Sequence, residues 1–291
     1  MGDSLSSMTD LRGIPFAKLT GSGNDFVFFD ARQVDLSRLT APEVIVAICD
    51  RHNGIGADGI VVLEAGTRGD SASESGSGAD AQIHYYNSDG SPADLCGNAT
   101  LCSTVMSVEW AIADGEAMSL ATPAGLIASR IRNGMPAIDL QPVTRVDVDV
   151  PIDRERTEQR IGFAVAGIPH LVVLCDEADA IDVERRGPVL RRHPVLGPAG
   201  ANVNWVSRRT DDRWRYRTFE RGVEGETLAC GTGAIATAIV LASWGLAAPP
   251  VIIRTSSGRD LTVSLRHDTD AWHPTLSGEG RVVFRGTIGD L

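Results

Sequence analysis

Two cysteines open matching motifs in this chain. Cys96 is followed by Gly97-Asn98 and Cys230 by Gly231-Thr232-Gly233, each just before a segment that reads as a helix. A helix N-terminus carries unpaired N–H groups and the positive end of the helix dipole. That position lowers a cysteine pKa toward neutrality. It also offers donors to a carboxylate, which glycine allows to approach the backbone closely. If the two motifs belong to halves related by a pseudo-two-fold axis, their sulfurs face a common cleft from opposite sides. Such a pair suits inversion at a Cα–H centre. One thiolate removes the proton, the opposite thiol delivers another, and the roles exchange in the reverse direction. The two helix N-termini then hold the carboxylate and stabilise the enolate-like charge that develops on it. Cys49, Cys102 and Cys175 lack this context and read as core residues. No CxxC pair is present, and Cys96 and Cys102 are poorly spaced to share a metal on one helix face, so neither a metal site nor a disulfide framework is expected.

The basic residues bear on the same chemistry. Of 27 Lys and Arg residues only Lys18 is lysine. Racemisation of amino acids commonly uses pyridoxal phosphate carried on a lysine. Lys18 sits in Phe16-Ala17-Lys18-Leu19, which has no glycine-rich phosphate cradle of its own. The expectation is therefore a site with no cofactor.

The elements that must position the cysteines come in two sets. Asn24–Asp30 and Pro169–Asp176 each run from a polar residue through an apolar stretch to Asp. Gly56-Ala57-Asp58 and Gly200-Ala201-Asn202 each precede an apolar segment, and Cys96-Gly97-Asn98 is matched by Cys230-Gly231-Thr232. The offsets are 145 for Asp25 and His170, 144 for Ala57 and Ala201, and 134 for Cys96 and Cys230. The drop falls where the first half carries the Gly/Ser-rich stretch 66–80, which reads as an inserted surface loop. The chain thus reads as a duplicated α/β fold. Phe26–Phe29, Ile60–Leu63, Leu171–Leu174 and Tyr216–Phe219 read as strands, and Val251–Arg254 with Leu261–Leu265 as a hairpin. Ala234–Ala242 is apolar on every face, so its helix should be enclosed on all sides, and the segment after Cys96 should form a matching central helix. The halves read as 1–122 and 123–276, each a strand-rich, barrel-like sheet around one helix, with 277–291 returning as a strand to the first half.

Size and composition agree. A chain of 291 residues suggests two domains. A net charge of −11 argues against a nucleic-acid partner, since phosphate contacts need a basic face. The polar segment 1–12 has no apolar core and does not read as a secretory signal; it reads as a loose tail. The uncharged stretch Gly231–Ile253 is interrupted by Gly245 and Pro249-Pro250, so it reads as a buried core helix rather than a membrane span. Five scattered cysteines suggest reduced thiols in the cytoplasm.

At these residues the sequence resembles the diaminopimelate epimerase family, whose members work without pyridoxal phosphate in lysine and peptidoglycan precursor synthesis. The resemblance is carried by GSGNDF (21–26), DRHNGIGADG (50–59), YNSDGSPADLCGN (86–98), Pro169-His170, GANVNWV (200–206) and ERGVEGETLACGTG (220–233). It implies two similar α/β domains with the active site between them, and an isomerase interconverting LL- and meso-diaminopimelate. It implies Cys96 and Cys230 as the two bases, with Gly97, Asn98, Gly231 and Thr232 holding the reacting carboxylate. Asn24, Asn87, Asn202 and Arg221 are then substrate contacts, and His170 and Glu220 sit beside the cysteines and tune their pKa values. A homodimer is also implied.

The residue types suit a substrate with one reacting and one anchored amino-acid head. Arg221 can bind a distal carboxylate as a fork and Glu220 an ammonium, while the repeat puts neutral Asn87 and Ser88 near the matching positions of the other half. The chain departs from the family pattern at Ile168, where Asn is frequent, at Ala99-Thr100-Leu101-Cys102, where Gly-Ala-Arg-Cys is frequent, and at Gly59, where some members carry Gln. Ile168 leaves open an epimerase of the same fold acting on another amino acid. An alternative of another class is a redox or ligand-binding protein with a reversible Cys96–Cys230 disulfide. A cysteine hydrolase using His170 would leave the second Cys-Gly motif unexplained.

Overall fold

Asn24–Asp30 reads apolar without alternation because both of its faces are buried. A computed structural model describes residues 11–66 and 78–291. Within this strand, Phe26 and Phe28 pack with Ala99, Cys102 and Met106 of the helix Gly97–Glu109. Val27 and Phe29 point the other way, onto Leu39 of the short helix Leu36–Leu39 and Val44, Ile45 and Ile48 of the helix Pro42–Cys49. Side chains alternate across a strand, so a strand between two helical layers is apolar throughout. In the second half Leu171, Val173, Val203, Trp205 and Phe219 pack in the same way onto Val183 and Leu190 of the helix Val183–Arg191.

The chain divides into two units. One comprises the described residues up to Ile138 together with Glu279–Leu291, and the other is Asp139–Gly278. The first therefore extends past residue 122, because the hairpin Gly125–Arg132 and Met135–Asp139 pairs onto Met118–Thr122. Its strands run in the order Arg281–Thr287, Pro15–Gly21, Asn24–Asp30, Gly59–Ala65, Ala81–Asn87, Met118–Thr122, Gly125–Arg132, Met135–Asp139. In the second unit the order is Val146–Asp147, Glu158–Ala166, Ile168–Cys175, Asn202–Arg208, Trp214–Glu220, Val251–Arg254, Asp260–His267, Trp272–Ser277. Both sheets follow one pattern of neighbours: two antiparallel contacts, one parallel, one antiparallel, one parallel, two antiparallel. A parallel step needs a crossover. The first in each unit is bridged by the outer helices and the second by the central helix, Gly97–Glu109 or Gly231–Ser243.

The central helices are enclosed as their composition requires. Every residue from Gly233 to Leu241 is buried, and so is every residue from Gly97 to Thr104. The first central helix carries more hydroxyls, and it satisfies several on its own backbone: Ser103 Oγ donates to Ala99 O at 2.8 Å and Thr104 Oγ1 to Thr100 O at 2.9 Å. The helices end alike, at Trp110 and Trp244. No described helix is long and apolar enough to cross a membrane. Residues 1–10 of the expected tail and 67–77 of the expected surface loop lie outside the described residues.

Candidate active site

The two cysteines occupy the same structural position. Cys96 is the N-cap of Gly97–Glu109 with φ −131° and ψ 114°, and Cys230 is the N-cap of Gly231–Ser243 with φ −130° and ψ 113°. Neither side chain forms a capping hydrogen bond to its helix.

Around Cys230 the polar groups form a directed network. Asn204 sits among apolar neighbours on the strand Asn202–Arg208. Its Oδ1 accepts from Tyr216 OH at 2.9 Å and from Thr218 Oγ1 at 3.0 Å. Its Nδ2 donates to Leu171 O at 2.7 Å and faces His170 Nδ1 at 3.3 Å. That assignment makes His170 Nδ1 an acceptor, so the ring proton is on Nε2, which lies 3.1 Å from Thr232 Oγ1. The Thr232 hydroxyl is then free to donate to Cys230 Sγ, 3.5 Å away. His170 thus reaches the sulfur through Thr232. Complete burial, reinforced by the charge of Arg221, pulls the imidazole down to about 3 and keeps it neutral. Gly233 makes this packing possible: a Cβ there would fall 2.2 Å from Tyr216 OH and 2.5 Å from Asn204 Oδ1.

The helix end does not leave Cys230 with a lowered pKa. Burial pushes the thiol up, and the neighbouring Glu220 carboxylate pushes it further, against the pull of the Thr232 hydroxyl and the Gly233 N–H. Glu220 is raised by its own burial and held by hydrogen bonds from Thr227 and Cys230. The sequence expectation of a pKa drawn toward neutrality is therefore reversed at this cysteine, because losing water costs a thiolate more than a helix end returns. Glu220→Gln keeps the shape and removes the charge. It is expected to move the pH midpoint of Cys230 alkylation downward by about one unit. Peptide-resolved iodoacetamide labelling reads it, and an unchanged midpoint would show that the charge is not felt.

The remaining contacts in this unit involve Asn202 and Arg221. Asn202 Nδ2 lies 3.9 Å from Cys230 Sγ, and its Oδ1 accepts from the Arg221 N–H at 2.8 Å. Gly231 is buried at the helix start.

In the first unit, buried Asn98 donates to Asn24 Oδ1 at 2.7 Å, and Asn24 donates to Asp58 Oδ2 at 3.0 Å. Among the described residues Asn98 Oδ1 is buried without a hydrogen-bond partner. Gly97 is buried beside it. Asn87 ends its strand and donates to Ser91 Oγ at 3.0 Å. Asp58 is tied through Arg51 to Asp25, whose Oδ2 is 2.8 Å from Lys18 Nζ. Lys18 is 6% exposed and also donates to Gly56 O, so the lone lysine is committed to an ion pair inside the fold.

The other cysteines are free and buried. Burial pushes Cys49 and Cys175 up to about 12 and Cys102 well above its ordinary value, which suits inert core residues. Among the described residues no three His, Cys, Asp or Glu side chains gather as a metal site. The sequence reading missed Asn204, Tyr216 and Thr218. A polar residue inside the apolar run Val203–Val206 was the available signal, since a buried amide must be hydrogen-bonded.

The family model for diaminopimelate epimerase matches residues 16–146 and 163–284, one segment on each copy of this arrangement. The chain belongs to the diaminopimelate epimerase family. A curated diaminopimelate epimerase of Gemmatimonas aurantiaca is 60% identical over 285 residues, covering 95% of this chain and 99% of that protein. One from a Hydrogenobaculum species is 34% identical, covering 93% and 97%. Among solved structures, the fold is shared with a Bacillus anthracis phenazine biosynthesis protein of the PhzF family, at a TM-score of 0.72, 15% identity and coverage of 95% and 99%. It is also shared with a probable proline racemase from Agrobacterium radiobacter, at 0.65, 20% identity and coverage of 94% and 92%. Cys-Gly-Asn and Cys-Gly-Thr stand at the two helix starts, and Ile168 begins its strand half-buried.

Proposed function

We propose that this protein interconverts LL- and meso-diaminopimelate by transfer of the α-proton between two thiols, Cys96 and Cys230. Inversion needs a base on one face of the carbon and an acid on the other. The observation that carries the reading is the pair of cysteines in one backbone conformation at the starts of two equivalent helices, in surroundings that differ. Cys230, buried beside Glu220, is suited to hold its proton and act as the acid, leaving Cys96 as the base in that direction. The N–H groups of Gly97-Asn98 and Gly231-Thr232 supply donors to the reacting carboxylate, which takes on charge as the proton leaves. The unpartnered Asn98 Oδ1 offers an acceptor to the α-ammonium. Arg221 and Glu220 suit the second, unreacting head, with Asn24, Asn87 and Asn202 as further contacts. The chemistry needs no cofactor, and Lys18, in its buried ion pair, is badly placed to carry one.

Free thiols fit a reducing cytoplasm. A homodimer is supported by Arg281–Thr287, which pairs with Pro15–Gly21 while Val283 and Phe284 stay about half exposed.

Turnover in deuterium oxide tests the mechanism. The epimerised product is expected to carry deuterium at its α-carbon from the first turnover while the remaining substrate keeps its proton. Product that retains the substrate's own proton would point to a single base. Lysine, which lacks the distal carboxylate, is the comparison substrate: exchange as fast as with diaminopimelate would favour an epimerase of other specificity, as Ile168 allows.

A further inference from the structure

The two sulfurs have different hydroxyls near them. Cys230 has Thr232, two residues into its own helix. The equivalent residue after Cys96 is Asn98, whose amide is turned to Asn24. The first unit has Tyr85 instead. It lies on the strand Ala81–Asn87 two residues before Asn87 and so shares that residue's face. Its ring meets Phe26 edge-on at 5.8 Å between centroids. The other side of the ring lies against Gly59, where a Cβ would fall 2.8 Å from Tyr85 Cε2 and 3.3 Å from its hydroxyl. Gly59 thus leaves the space that Tyr85 fills. Tyr85 and Cys96 line one small pocket and pack against the same core cluster. The nearby sulfur is among the groups that push the phenol up. In the second unit Thr218 stands near the corresponding strand position, and its hydroxyl goes to Asn204.

We propose that Tyr85 is a positioning residue for Cys96: its hydroxyl donates to the Cys96 sulfur, holds the thiolate lone pair in line, and supplies on this side what Thr232 supplies to Cys230. The role rests on the two-thiol reading above. A phenol fixed by Phe26 and Gly59 cannot swing away, so the donor is in place before substrate arrives. Burial and the neighbouring Cys96, Asp58 and Cys49 push the Tyr85 hydroxyl well above the ordinary phenol range, which keeps it a donor at any working pH. The other titratable groups around the thiol are Asp94 in the same pocket, Cys102 in the central helix, and Glu279 beyond Cys102.

Tyr85→Phe removes the hydroxyl and keeps the ring. Cys96 is the half-exposed thiol among five otherwise buried ones, so its iodoacetamide labelling can be followed peptide by peptide. The variant is expected to move the Cys96 midpoint upward by about one to two pH units and to lower kcat/KM at neutral pH about ten- to a hundredfold, the worth of one hydrogen bond to a charged group. The Tm and the Cys230 midpoint are expected to stay where they are. A Cys96 midpoint that does not move in a folded variant overturns the proposal, as does a shift shared by Cys230, which would mark a general disturbance. The labelling needs no turnover. If Cys96→Ala still epimerised, the two-thiol mechanism would fail while the contact between Tyr85 and Cys96 was still read directly.

Discussion

Cys230→Ala and Cys96→Ala are each expected to lower epimerisation in both directions by about a thousandfold or more, with the fold intact. Positioned acid–base groups contribute about 10²–10⁴-fold. If each proton transfer passes through a sulfur, as proposed, removing one thiol stops the forward and the reverse reaction alike. The double variant should be little worse than either single one, because groups that act as a unit do not add. The two replacements differ in what they leave behind. Cys230→Ala leaves Glu220 with Thr227 as its hydrogen-bond partner, and the Thr232 hydroxyl without its sulfur. Cys96→Ala removes the sulfur that shares a pocket with the Tyr85 hydroxyl. Initial rates from each epimer, with melting temperatures to establish folding, decide the matter. Either variant keeping more than a tenth of the activity would sink the two-thiol mechanism.

The largest stability effect is expected at Glu158. Arg186 on the outer helix of the second unit donates to Glu158 through Nε at 3.0 Å and Nη2 at 2.7 Å, and through Nη2 to Asp153 O at 2.7 Å. The Arg186 side chain is 10% exposed and that of Glu158 1%. Glu158→Ala therefore strands a guanidinium away from water and is expected to cost about 3–5 kcal/mol. Urea unfolding followed by tryptophan fluorescence reads this unit, which holds Trp205, Trp214, Trp244 and Trp272. Arg192→Ala is the contrast. Its ion pair with Glu224 is short, at 2.5 Å, but the arginine is 62% exposed, so its loss should cost under about 1 kcal/mol. Equal losses in the two variants would show that burial does not set the worth of these pairs.

Much of the design was legible without coordinates. The repeat, the central strands and the buried helix after Cys230 follow from local patterns, since burial on two faces imposes an unbroken apolar run and an enclosed helix must be apolar all round. The helix starts at Cys96 and Cys230 were legible because glycine-rich starts carry a local signature. The duplication was legible because three motifs recur in order and one insertion explains their change of offset.

Other features depended on groups distant in sequence. A helix start by itself argues for a lowered cysteine pKa, yet Cys230 is raised, because the sequence does not reveal how completely water is removed or that Glu220 comes to rest on the sulfur. The same holds for His170, made neutral by burial and linked to the thiol through Thr232, and for Tyr85, fitted against Gly59 by the pairing of Gly59–Ala65 with Ala81–Asn87. A register slip of one residue would turn Tyr85 and Asn204 to the opposite faces of their strands. Composition and motif spacing pointed to the kind of chemistry and to the two sulfurs proposed for it. Strand register and desolvation, which exist only once the sheets are paired, decided which polar groups lie against Cys230 and which way its proton is held.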